Sequence, residues 1–234
     1  ENPPLLTINA PLGLGLSDNP GQIINRSIVE NSVEEVIGLE VASGNNLALI
    51  GGQINFEGGQ VTAMGGNIEL GGLSVAGTVG INSDGSFSFP EGVTKANINL
   101  SNAADVDARG TGGGSVTVNA GNLNLAAGES GSSLIRAGIR PESTSTEAQA
   151  GDVSIDVAEN ITLNDSRILN QVCTGGVGNS GKITINTGSI EAVNGGGVSA
   201  STGGQGNAGS VGITAERDIT FDGEDSDGSI SSGA

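Results

Sequence analysis

The residues of this chain that could do chemistry are almost all carboxylates. Of 234 residues, 26 are Asp or Glu, 8 are Lys or Arg, one is Cys, and none is His, Trp or Tyr. Without His there is no Ser-His-Asp triad, no His-zinc centre and no side chain that titrates near neutrality without a large pKa shift. A metal would need oxygen ligands, and the densest supply is the run Asp222-Gly223-Glu224-Asp225-Ser226-Asp227-Gly228. Closely spaced carboxylates on a tight loop present several oxygens to a hard cation, and calcium is the ion they suit. The run lacks the EF-hand order and its terminal bidentate Glu. A solvated polar loop is therefore the leading reading, with Asp222, Glu224, Asp225 and Asp227 as calcium ligands the alternative. The stretch Gly203-Gly204-Gln205-Gly206-Asn207-Ala208 is a poorer candidate, because Ala208 stands where a nonapeptide calcium repeat has its ligand Asp.

Carboxylate pairs raise a second possibility, glycosidic-bond cleavage, which needs two acids at a defined separation. Asp105 and Asp107 with Arg109, or Asp152 and Asp156 with Arg167, have the residue types. The stronger expectation is that these alternating acids lie on the solvated outer face of strands. No Trp or Tyr exists to stack a sugar ring. No catalytic residue and no cofactor is expected. Cys173, in Leu169-Asn170-Gln171-Val172-Cys173-Thr174, has no basic neighbour in sequence and reads as a small buried hydrophobe. A net charge of −18 repels nucleic-acid phosphates and anionic lipids. No run approaches the roughly 18 apolar residues of a membrane span.

The elements that would carry these groups follow from self-similarity in the second half. After Gly114, Gly151, Gly181 and Gly209 come Ser115-Val116-Thr117-Val118, Asp152-Val153-Ser154-Ile155, Lys182-Ile183-Thr184-Ile185 and Ser210-Val211-Gly212-Ile213. Each alternates polar and apolar residues with the period of a strand. A second alternating piece follows each, at 122–125, 160–163, 189–192 and 218–221, and a third at 133–135, 167–169, 197–200 and 228–230. Three short strands per unit make a parallel β-helix, an all-β solenoid whose inward positions stack as Val, Ile and Leu ladders. Repeat starts lie 37, 30 and 28 residues apart. The excess length falls in polar insertions such as 141–146 and 203–207, expected to project from the rod.

Residues 47–113 continue the pattern as strand-plus-glycine pieces: Leu47 to Gly52, Gln53 to Gly59, Gln60 to Gly66 and Asn67 to Gly72. Paired glycines suit sharp corners because they tolerate positive φ. They do not read as a phosphate cradle, since no helix-opening pattern or P-loop Lys follows. Residues 77–95, containing Phe87, Phe89 and Pro90, break the register and read as a hairpin or loop excursion whose aromatics plug one end of a coil. Three regions result: an irregular strand-bearing segment over 1–46, with a short helical turn over 32–37; a first β-helix part over 47–113; and the repeats over 114–234.

The segment from Gly178-Asn179-Ser180-Gly181-Lys182-Ile183-Thr184-Ile185 through Gly197-Val198-Ser199-Ala200-Ser201-Thr202-Gly203-Gly204-Gln205-Gly206-Asn207-Ala208-Gly209 resembles the repeats of filamentous-haemagglutinin-like exoproteins of two-partner secretion systems, especially the large cyanobacterial ones. Asn2-Pro3-Pro4-Leu5-Leu6-Thr7-Ile8, Leu47-Ala48-Leu49-Ile50-Gly51-Gly52, and Ile98-Asn99-Leu100 through Val106-Asp107-Ala108-Arg109-Gly110 carry the likeness too. The resemblance implies a right-handed β-helix, exported through an outer-membrane β-barrel transporter to the exterior or surface of a Gram-negative-type bacterium. An Asn-Pro-Asn-Gly-Ile secretion motif is absent, as Asn2-Pro3-Pro4 and Asn19-Pro20-Gly21 show only similar composition. The chain is therefore expected to be a piece that follows the secretion-signal core and continues beyond Ala234.

The expected role is structural or adhesive and non-catalytic: an adhesin stalk or surface fibre that contacts cells, matrix or further copies of itself. Recognition is expected on the outer loops 77–95 and 136–150. A calcium- or ligand-binding surface module is the first alternative and a polysaccharide-active enzyme the second.

Overall fold

Alternation in these segments produces strands and nothing else. The computed structural model describes residues 12–30 and 38–222, in which there are twenty strands and no helix, and most of the pairing is parallel. Numbered in chain order, the strands fall into three parallel ladders. The first contains β4 (Leu47–Gly51), β7 (Asn67–Gly72), β12 (Ser115–Ala120), the leading half of β15 (Val153–Asn164), the leading half of β17 (Ile183–Val193), and β19 (Val211–Ala215). In the second are β2 (Ile23–Asn25), β5 (Ile54–Glu57), β10 (Ile98–Ser101), β13 (Leu123–Ala126), the trailing halves of β15 and β17, and β20 (Ile219–Phe221). The third runs through β3 (Leu39–Glu40), β6 (Gln60–Thr62), β11 (Asp105–Asp107), β14 (Leu134–Ile139), β16 (Arg167–Val172) and β18 (Gly197–Thr202). The chain visits the ladders in rotation, so each pass lies in register on the one before.

That register builds the core. In the first ladder Leu47, Ile68, Val116, Val153, Ile183 and Val211 are aligned partners. Ile54, Ile98, Leu123, Ile161 and Ile190 align in the second, and Val61, Val106, Ile135, Ile168 and Val198 in the third. Nearly all of these are fully buried in one continuous apolar cluster. A one-residue slip would turn every aliphatic side chain in a strand outward, so the alternation fixes the pairing.

The glycine pairs divide two tasks. Gly65 has φ +67°, as a sharp corner requires, whereas a Cβ on Gly66 would run into the Asn45 carbonyl of the preceding pass. Close stacking of backbones, in addition to positive φ, explains the glycine content.

One buried polar residue links the ladders. Asn170 points inward from β16 with no exposed surface; its Nδ2 donates to the Gly151 carbonyl at 2.9 Å and its Oδ1 accepts from the Gly181 N–H at 3.2 Å. Ser180 Oγ donates to the Asn170 carbonyl at 2.7 Å. The side chain thus joins two successive glycine turns leading into the first ladder.

The loop expected over 136–150 and the role expected of the aromatics in 77–95 are corrected. Residues 136–139 are strand, part of β14, and the insertion after them folds back over a second apolar cluster of Ile139, Ala148, Ala150 and Val172. Ser143 is buried there, with its hydroxyl within hydrogen-bonding distance of the Val177 carbonyl at 2.6 Å and the Thr111 carbonyl at 3.0 Å. Residues 77–95 contain β8 (Gly77–Ile81) and β9 (Phe87–Ser88), which form an antiparallel sheet with β1 (Gly13–Leu16). Their aromatics do not plug a coil end: the Phe89 ring lies against Gly71 on the outside of the first ladder. The helical turn expected over 32–37 and the third alternating piece at 228–230 lie outside the described residues.

Candidate functional site

Among the described residues, the most concentrated chemistry lies on the outer face of the third ladder. In β11 the alternation sends Val106 into the core and Asp105 and Asp107 outward. Both aspartates are nevertheless buried, 7% and 4% exposed, which corrects the expectation of solvated acids. Arginines cover them. Arg136, on the next pass and aligned with Asp107, pairs through Nε and Nη2 with the two carboxylate oxygens of Asp105. Arg109 donates from Nε to Asp107 Oδ1 at 2.9 Å and from Nη2 to Oδ2 at 2.7 Å. Asp107 Oδ2 also lies 3.2 Å from Arg140 Nη2 and 3.3 Å from Arg136 Nη2.

Burial and charge act in opposition here. Desolvation alone would raise the carboxyl of Asp107, but the Arg109 hydrogen bond and the charges of Arg136 and Arg109 outweigh it and hold the group at about 2. For Asp105, burial prevails over the charge of Arg136, with the neighbouring Asp107 adding to it, and its carboxyl is raised. Arg109 is desolvated, yet its bond to and attraction for Asp107 push it further toward the charged form. Each of the four carboxylate oxygens accepts from an arginine, so neither acid presents an oxygen free of arginine to a substrate. The arrangement binds two successive passes of chain together.

Cys173 is buried, as expected of a small hydrophobe, but Arg109 Nη1 donates toward its sulfur at 3.7 Å. A basic group absent from its sequence neighbourhood is thus supplied from 64 residues away. Sequence reading also missed Arg136 and Arg140. The available signal was scarcity: three of six arginines in a strongly acidic chain fall at 109, 136 and 140.

The remaining candidates are dispersed. Asp152 accepts from the Lys182 N–H at 2.7 Å, and Asp156 forms an ion pair with Lys95. Asp156 lies in the first ladder and Asp152 just ahead of β15, whereas Arg167 lies in the third and reaches the Gly195 carbonyl. No paired-acid site forms from these three. Asp222 is exposed just past β20, its N–H bonded to the Ala192 carbonyl at 2.7 Å. Glu224, Asp225 and Asp227 lie outside the described residues. Among the described residues no three Asp, Glu, Cys or His side chains gather into a metal cage, and no helix is long and apolar enough to cross a membrane.

Open surface capable of recognition surrounds the root of the excursion. Lys95, held by Asp156, stands between two grooves of about 610 and 560 Å³. Beside them two rows of amides run up the second ladder. Asn124 donates to Asn99 and Asn99 to Asn55, both at 2.8 Å; Asn160 donates to Asn122 at 3.2 Å and Asn122 to Asn97 at 3.0 Å. The result is a regular, uncharged hydrogen-bonding face on an otherwise acidic molecule.

Comparison with protein-family models, with curated proteins and with solved structures yields no significant match.

Proposed function

We propose that the chain is part of a right-handed parallel β-helix serving as a structural or adhesive surface rod, of the kind built by filamentous-haemagglutinin-like exoproteins. The observation that carries the reading is the rotation of the chain through three in-register parallel ladders. Such an array grows along one axis by adding passes, each of which contacts only its neighbours. Its interior is filled mainly by aliphatic side chains, with Phe56 among them, so ligands meet its outside.

The arginine-locked aspartates and the separation of Asp152 and Asp156 from Arg167 favour scaffolding over glycan cleavage. The amide rows and the grooves beside Lys95 provide a surface for polyhydroxylated or peptide partners on cells or matrix. The negative net charge keeps such rods soluble and spaced. Export through an outer-membrane β-barrel transporter and an extracellular location belong to the same proposal, as does association between copies.

The test is retention of labelled protein on bacterial cells, matrix proteins and immobilised polysaccharides, with hydrolysis of acidic glycans followed in parallel. Saturable retention without turnover is expected. Glycan cleavage, or absence of retention on every surface, would overturn the proposal.

A further inference from the structure

Where the excursion crosses the first ladder, one carboxyl group lacks part of its hydrogen bonding. Glu69 projects outward from β7 but is only 9% exposed, because the 82–87 turn lies over it. Its Oε2 accepts the Phe87 N–H at 3.2 Å, while Oε1 is buried with no hydrogen-bond partner among the described residues. A buried carboxylate oxygen without a donor is costly, and nearby negative charge increases that cost. Such charge is present in Asp84, on the same turn, whose carboxylate is oriented by the Ser86 N–H at 3.0 Å and the Ser86 hydroxyl at 2.7 Å.

Glu69 and Asp84 line one cavity of about 230 Å³. Its other polar walls come from Asn46, Asn67, Ser86, Ser115 and Thr117, and among the described residues no Lys or Arg lines it. Thr117 is the in-register partner of Glu69 on the following pass. Burial raises the Glu69 carboxyl, the Phe87 N–H opposes that rise, and the charge of Asp84 adds a smaller one.

We propose that Glu69 and Asp84, with the Ser115 and Thr117 hydroxyls, form a divalent-cation site of calcium type that ties the excursion to the first ladder. The donors are all oxygens of mixed type, which suits the six to eight flexible ligands of calcium better than the rigid octahedron of magnesium. Two carboxylates place the affinity in the weak range of extracellular modules, with a Kd of about 0.1–1 mM. The site is separate from the acidic run at 222–227.

The test is calorimetric titration with calcium chloride together with thermal melting in EDTA and in calcium. It uses the unmodified chain, Glu69→Gln, Asp84→Asn, and a variant with Asp222, Glu224, Asp225 and Asp227 all converted to amides. The unmodified chain should bind one calcium and melt about 3–6 °C higher when calcium exceeds its Kd tenfold. Glu69→Gln and Asp84→Asn should each lose at least tenfold in affinity while melting in EDTA no lower than the parent. The amide variant should keep the response. Should Glu69→Gln fail to fold, Asp84→Asn, an exposed turn substitution, decides alone. No binding by the parent, a response surviving Asp84→Asn, or a response lost with the 222–227 amides would each overturn the proposal.

Discussion

Asp107 and Arg136 are aligned partners on successive passes of the third ladder, with Asp107 Oδ2 3.3 Å from Arg136 Nη2 and less than a tenth of the aspartate exposed. A carboxylate can be buried there because Arg109 and Arg140 also converge on it. Removing one member of such a cluster leaves uncompensated buried charge. Asp107→Asn should therefore destabilise the chain by about 3 kcal/mol, read as a lower urea midpoint at unchanged slope. A loss below the resolution of that measurement would show that the cluster does not bind the passes together.

Acid should act through the same residue. The carboxyl of Asp107 lies near 2 in the folded chain, below its ordinary value of 3.8. The stability it confers is present above the ordinary value and is lost as pH falls from about 4 through 2, by about 2 kcal/mol. Asp105 has the opposite sign: its raised carboxyl is most compatible with the fold when protonated, so acidification removes less there. Urea unfolding at pH 5 and pH 2.5 should show a larger acid loss in the parent than in Asp107→Asn. Equal losses would contradict this assignment.

Asn170 makes a prediction independent of charge. Replacing it with Leu would leave the Gly151 carbonyl and the Gly181 N–H without that side-chain partner in a buried position. A loss of about 2–3 kcal/mol is expected although the two side chains have the same number of heavy atoms in the same branched arrangement. Amide hydrogen exchange should accelerate first at 151 and 181, and uniform acceleration would contradict a local role.

Ala103 offers a gain. It has φ +63°, a left-handed conformation that a Cβ disfavours by about 1 kcal/mol. Ala103→Gly should therefore raise stability by about 0.5–1 kcal/mol, visible as a higher melting temperature. A decrease would mean that the methyl group packs more favourably than its backbone geometry costs.

Much of the strand order was legible because an aliphatic every second residue, closed by glycine, leaves one register that buries everything. Val153, Ile155, Ile161 and Leu163 show this directly in β15. What alternation could not reveal was contact across passes. Asp105 and Asp107 look like solvated acids until Arg136 is placed beside them from 31 residues away. Cys173 appears isolated until Arg109 arrives. Phe89 reads as a plug because nothing local says that Gly71 leaves room for a ring on the outside of the ladder. Periodicity reports which face a side chain uses, whereas the contents of the outer face depend on stacking.

The central claim is that passes are equivalent units stacked along one axis, and deleting one pass tests it most directly. Removal of residues 181–208 takes out β17 and β18 and joins Ser180 to Gly209, whose backbone stacks on Gly181 in the intact chain. Val211 and Ile213 would then meet Val153 and Ile155, and Ile219 would meet Ile161, so the apolar rows stay in register. The account predicts a protein that keeps its strand-type circular dichroism, melts cooperatively and is shorter by about 4.8 Å in small-angle scattering. An unfolded or aggregated product, alongside a well-folded parent, would contradict it.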